Sequence, residues 1–133
     1  MELTLTFKEN NCNFPKDINL YDLNWKFNVL NISTIQGTFP KNSVICLKSN
    51  LTYDASGNEK ELGRLRTFTT NSSGKLSKNI LSYWQTITNP RKQFEFEFHK
   101  ATFDLKSKKI VETKLSESEI PKIIIEISFK KIN

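Results

Sequence analysis

The chain has 133 residues, 37% of them hydrophobic and 26% charged, with a formal net charge of +6. That length suits one domain over 1–133, large enough to bury a core, and two cysteines are too few for a disulfide framework. Seventeen lysines against three arginines argue against sequence-specific nucleic-acid reading, which leans on bidentate arginine, and leave nonspecific attraction to acidic surfaces open.

Glu2 to Lys8 places Leu3, Leu5 and Phe7 on one face and reads as a first strand. An Asn-rich loop follows, over Asn10 to Lys16. Tyr21 to Val29 alternates again, with Leu23, Trp25, Phe27 and Val29 expected inward. Leu30, Ile32 and Ile35 break that parity, which predicts a bulge or turn near Leu30. Gly37 to Asn42 is a turn, and Ser43 to Leu51 a further strand. Cys46 lies in the apolar run SVICLK and reads as a small buried residue.

Thr52 to Lys60 is the longest polar insertion between apolar stretches, punctuated by Asp, Ser, Gly and Asn. Leu62 to Thr70 is a strand expected to carry Arg64 and Arg66 on one face. The turn Asn71–Gly74 can supply a helix cap. After it, Leu76, Ile80, Leu81, Trp84 and Ile87 recur at helical spacing, and Asn89-Pro90 stops the run. One helix over about 76–88 is predicted, with Trp84, Ile80 and Leu76 packed on the barrel wall and Lys75, Lys78 and Gln85 wet.

Gln93 to Leu105 is the strongest strand pattern. Phe94, Phe96 and Phe98 alternate with Glu95 and Glu97, and then Ala101, Phe103 and Leu105 switch to odd numbers. A bulge at His99–Lys100 accounts for the switch and would bend the strand as in a barrel. Ile110 to Leu115 pairs with its end through the turn at Lys106–Lys109, and Ser116–Glu119 is an acidic turn. Pro121 to Ile132 closes the series with Ile123, Ile125, Ile127 and Phe129 on one face. The expected fold is mainly β: a single antiparallel β-barrel or tightly coiled β-sandwich with one lateral α-helix. Trp25, Phe27, Phe96, Phe98, Ile125 and Ile127 should share its interior.

Chemical groups are sparse. His99 has no evident triad or metal partner, Glu95 and Glu97 fit the wet face of an amphipathic strand, and neither phosphate-loop motif occurs. No catalytic, cofactor-binding or metal-binding residues are therefore expected, and no enzyme is expected. No apolar run reaches the length of a membrane span, so no membrane partner is expected. The N-terminus lacks a signal-peptide layout, so the expected location is the cytoplasm, with export by a dedicated secretion machine as the alternative.

Three stretches, covering about half the chain, carry a resemblance. Thr67 to Leu81 (TFTTNSSGKLSKNIL), Gln93 to Phe103, and Ile120 to Ile132 (IPKIIIEISFKKI) are similar to the type VI secretion tube family, the haemolysin-coregulated proteins, and their phage tail-tube relatives. The resemblance implies a barrel with a lateral helix and a long loop reaching the neighbouring subunit. It also implies a self-assembling, hexameric ring-forming component of a contractile injection machine, with itself, other machine components or secreted effectors as partners. The subunit-contact loop would be Tyr53, Asp54, Ala55, Ser56, Gly57 and Asn58, where Tyr53 is the one large anchor. The alternative is a basic β-barrel module binding single-stranded nucleic acid or another acidic partner, with nucleic acid the less expected of the two.

Overall fold

The computed structural model describes residues 2–7, 11–13, 25–53, 62–76, 84–86 and 93–131. The strands, in chain order, are β1 (Glu2–Phe7), β2 (Asn11–Asn13), β3 (Trp25–Gln36), β4 (Val44–Tyr53), β5 (Leu62–Thr69), β6 (Gln85–Thr86), β7 (Gln93–Asp104), β8 (Lys109–Lys114) and β9 (Lys122–Lys131). All pairings among them are antiparallel. One sheet runs β1-β9-β3-β6; the other runs β2-β7-β4-β5, with β8 also paired to β7.

β9 is the middle of the first sheet because its alternation is strict. Ile123, Ile125, Ile127 and Phe129 are buried while Glu126 and Lys130 face out. They lie opposite Phe7, Leu5 and Leu3 of β1 and opposite Phe27, Val29 and Ile32 of β3. Burying each such side chain contributes roughly 1.5–3 kcal/mol before entropy is counted. The bulge expected near Leu30 is present: Val29 faces Ile127, whereas Asn31 already faces Glu126. Leu30 is the extra residue, and the register shift returns Ile32 to the core.

Ile45, Leu47, Phe68, Phe96 and Phe98 of the second sheet join the same core. Phe39, from the turn before β4, is wedged between Phe68 and Phe98 at centroid distances of 5.3 and 5.2 Å. Of the expected interior set, Phe27, Phe96, Phe98, Ile125 and Ile127 are buried. The Trp25 side chain lies outside the described residues.

Four expectations are corrected. First, neither sheet closes into a barrel or curls into a tightly coiled sandwich. Where closure would need a ladder between β5 and the β3–β6 edge, side chains make the link. Gln85 Nε2 donates to the Leu65 carbonyl at 3.0 Å, and Arg66 Nη2 donates to the Val29 carbonyl at 2.7 Å and to Asn28 Oδ1 at 3.3 Å. β6 faces only Lys26 and Phe27, so the β3 edge beyond it is left to these groups.

Second, there is no α-helix among the described residues; Glu117–Glu119 is a single 3-10 turn. The helical spacing from Leu76 is overruled at both ends. Asn71 Oδ1 accepts from the Ser73 and Lys75 N–H groups, and the chain folds back so that Leu76 bridges Thr70. Gln85 and Thr86 then pair with β3 as a strand. Trp84 is 39% exposed, with Lys130 Nζ 4.3 Å from its ring centroid, and Gln85 is half-buried instead of wet. Ile80 lies outside the described residues.

Third, β7 has no bulge at His99–Lys100, since its register with β4 and with β8 runs unbroken through both residues. Its odd-numbered apolar residues simply occupy the outer face. Fourth, Arg64 and Arg66 do not share a face. A bulge opposite Leu47–Lys48 intervenes, leaving Arg64 exposed and Arg66 buried.

Candidate functional site

Of the loop expected to contact a neighbouring subunit, Tyr53 ends β4 opposite Leu62. Asp54, Ala55, Ser56, Gly57 and Asn58 lie outside the described residues.

The polar residues weighed in the sequence converge instead on the outer face of the second sheet. β4, β7 and β8 run side by side there, so Lys48 faces Glu97, Cys46 faces His99, His99 faces Lys114, and Ala101 faces Glu112. Directly opposed residues project to the same side. His99 Nε2 is 2.6 Å from Glu97 Oε1, and Lys114 Nζ is 3.2 Å from Glu97 Oε2. Glu112 takes Lys48 Nζ on one oxygen and Arg64 Nη2 on the other, both at 2.5 Å.

Both carboxyls titrate below their ordinary 4.5. For Glu97, burial pulls upward and is outweighed by the hydrogen bonds from His99 and Lys114. For Glu112, the bond from Lys48 dominates over opposing burial, with Arg64 adding to it. Cys46, 1% exposed, directs its sulfur at Thr67 Oγ1 (3.6 Å) and Glu112 Oε1 (3.9 Å), and so away from a thiol–imidazole pair. These charges are occupied with one another. What they build is an ion-paired patch that stiffens β8 against β4 and β5.

The unoccupied chemistry sits further along the same two strands. β4 begins at Val44, opposite Ala101, so β7 and β8 continue past it as a two-stranded arm. Phe103 and Ile110 face one another on that arm and are 60% and 72% exposed; Leu105, in the turn, is 82% exposed. Val44 adds apolar surface at its base, and Val111, opposite Thr102, is exposed on the other face of the arm. Large apolar side chains this exposed and this close together mark a contact surface more often than they mark chance.

The turn itself is closed tightly. Lys108 N–H donates to the Asp104 carbonyl at 2.8 Å, and Lys108 adopts φ +56°. The Asp104 carboxylate accepts from Lys106 N–H at 3.0 Å and from the Ser107 hydroxyl at 2.9 Å, and the Ser107 bond in particular holds its pKa below the ordinary 3.8. Lys106, Lys108 and Lys109 surround the turn, all exposed, and take part in no ion pair among the described residues. An arm with an apolar flank and a basic tip is the result.

The sequence contained the signal for this arm in Ala101, Phe103 and Leu105. Their change of parity fits a bulge or an exposed apolar face equally well, and only the unbroken register of β7 with β4 and β8 decides between them. Compared against family models, curated proteins and solved structures, the chain matches none. The closed barrel and lateral helix, on which the likeness to ring-forming tube proteins drew, are replaced by two open sheets without an α-helix among the described residues. The described sheets form no β-barrel, and no match supports a tube protein or a hexameric ring.

Proposed function

We propose that this chain is a non-catalytic binding module that engages an acidic partner through the β7–β8 arm. One observation carries the reading. Lys48, Arg64 and Lys114 on the sheet face are engaged by Glu97 and Glu112, whereas Lys106, Lys108 and Lys109 take part in no ion pair among the described residues and sit beside Phe103, Leu105 and Ile110. Spare charge next to exposed apolar surface favours partners of opposite charge and raises the encounter rate with them.

The test is salt elution from an immobilised polyanion. Replacing Lys106, Lys108 and Lys109 together by Ser should bring elution to clearly lower salt. Replacing Lys75, Lys122 and Lys131 by Ser changes net charge equally and should shift it much less. Equal shifts would show that affinity follows net charge alone, and the arm would lose its role.

Self-association is a second reading, favoured by one feature. Among the described residues β8 pairs only with β7, which leaves its other edge open for a strand. Light scattering across a wide concentration range decides it. A monomer at every concentration removes this reading and leaves the first untouched.

A further inference from the structure

Resting on the acidic-partner reading, we infer that the β7–β8 arm is an insertion element for an anionic lipid surface. A surface contact requires no membrane-spanning segment. Among the described residues no helix is long and apolar enough to cross a bilayer.

The shape of the arm comes first. It projects beyond β4 as a convex tip, with Leu105 and the three lysines in and beside the turn and Phe103 and Ile110 just behind them. A folded protein partner would have to offer a cleft of matching shape. A lipid surface deforms around the tip at no such cost. The facing backbone groups of the arm are paired between β7 and β8 and the turn is closed by Asp104, while the outward groups on the two open edges need the hydrated headgroup region, so the insertion is shallow.

The chemistry of the side chains points the same way. Leu105, Ile110 and Val111 are aliphatic and Phe103 is the one aromatic of the arm. Binding single-stranded nucleic acid relies on successive aromatic platforms for base stacking, which this set does not supply. Hydrocarbon accepts all four side chains. Lysine can lay its alkyl stem along the apolar flank and hold its ammonium at headgroup level. Anionic headgroups attract such lysines by about 1 kcal/mol each near the surface.

A second copy of the chain fits the arm less well. Antiparallel pairing of β8 with itself in the register that sets Val111 against Glu112 puts Lys109 opposite Lys114. Sliding by one residue opposes Glu112 with Glu112 in one direction and, in the other, sets apolar Ile110 against charged Glu112. Like charges directly opposed destabilise a strand pair.

Sedimentation with vesicles tests the inference. The parent chain should sediment with phosphatidylcholine vesicles carrying about one-third phosphatidylserine, release as salt is raised, and stay in solution with phosphatidylcholine alone. Lys106→Ser, Lys108→Ser and Lys109→Ser combined should weaken partitioning on the order of a hundredfold. A second variant combines Phe103→Ser, Leu105→Ser and Ile110→Ser, and should lose binding while keeping the parent's polyanion elution. These positions are exposed, and a thermal melt matching the parent confirms the fold of each variant. A separate Phe103→Trp variant should gain a blue-shifted emission component, absent from the parent, on the mixed vesicles only.

Three results overturn the inference. Serine variants that sediment like the parent place the contact elsewhere on the molecule. A Phe103→Trp emission that does not move shows that the arm stays in water. A parent that ignores both vesicle types, while its lysine variant still elutes early from the polyanion, rejects lipid and keeps the acidic-partner reading. If the two lysine triples also elute alike, both proposals fall together.

Discussion

Two turns leave the same end of the second sheet, the end where Val44 faces Thr69 on one side and Ala101 on the other. The turn after β5 folds back over the core. Thr70 Oγ1 accepts from the Ser43 N–H at 3.0 Å and donates to the Pro40 carbonyl at 2.6 Å, and Gly74 accepts from the Phe39 N–H at 3.0 Å. The β7–β8 turn instead satisfies itself through Asp104 and projects. One turn is anchored by its neighbours and holds Phe39 in the core. The other is rigid on its own account, and so can carry Phe103 and Leu105 into solvent. A turn's internal order and its attachment to the domain are separate properties.

The sharpest way to break this contrast is to treat the two phenylalanines alike. Phe98→Ala should cost about 3–5 kcal/mol, since the ring is wholly buried against Phe39, Phe68 and Phe96. Phe103→Ala should stay within about 0.5 kcal/mol. Denaturant midpoints of the two variants measure the difference, and similar midpoints would mean that the arm is part of the core after all.

Next in size is Gly74→Ala, expected to cost about 3 kcal/mol. Gly74 has φ +75°, and an added Cβ would meet the Phe39 carbonyl oxygen at 2.4 Å and Thr38 Cβ at 2.8 Å. Thermal unfolding would register the loss. A variant as stable as the parent would show that the anchored turn can move away from Phe39.

Glu112 joins β8 to Lys48 and Arg64, so it probes how firmly the base of the arm is held. Allowing for solvent screening of a partly exposed group, Glu112→Gln should cost about 0.5–1 kcal/mol at neutral pH. Its folded pKa is depressed, so this stabilisation is complete above the ordinary value of 4.5 and fades as pH falls through the lower folded value. Stability curves of parent and variant should therefore converge in acid. Curves that stay parallel would place the variant's cost outside the ion pairs.

The smallest effect is expected in the projecting turn. Lys108 occupies the left-handed region that glycine tolerates best, and Lys108→Gly should stabilise by about 0.5 kcal/mol. A loss instead would mean that the lysine stem packs on the arm.

The contrast also explains what could be read in advance. Strands with one buried face announced themselves through period-two alternation, as in Ile123–Phe129, and the parity break at Leu30 gave its bulge because Ile32 had to return to a shared core. The break after Phe98 looked identical and had the other cause. Ala101 and Phe103 were never recovered by the core, because the register of β7 runs on without a bulge and keeps them on the outer face. The spacing of Leu76, Ile80 and Trp84 misled for a related reason: a bridge at Thr70 and a ladder to Lys26 and Phe27 outweighed a helical period that had weak local support. Arg66 was the least legible residue. A buried arginine at the edge of one sheet is explained by acceptors on the other, the Val29 carbonyl and Asn28 Oδ1.

The position of β9 bears on how the chain acquires its structure. β9 lies between β1 and β3 and is the only partner that β1 has among the described residues. Neither strand can complete its ladder until a segment far along the chain has been made, and such distant pairings slow folding because loop closure must precede any gain. During synthesis Leu3, Leu5, Phe27 and Val29 would wait on unpaired edges, the condition under which nascent chains aggregate or recruit chaperones.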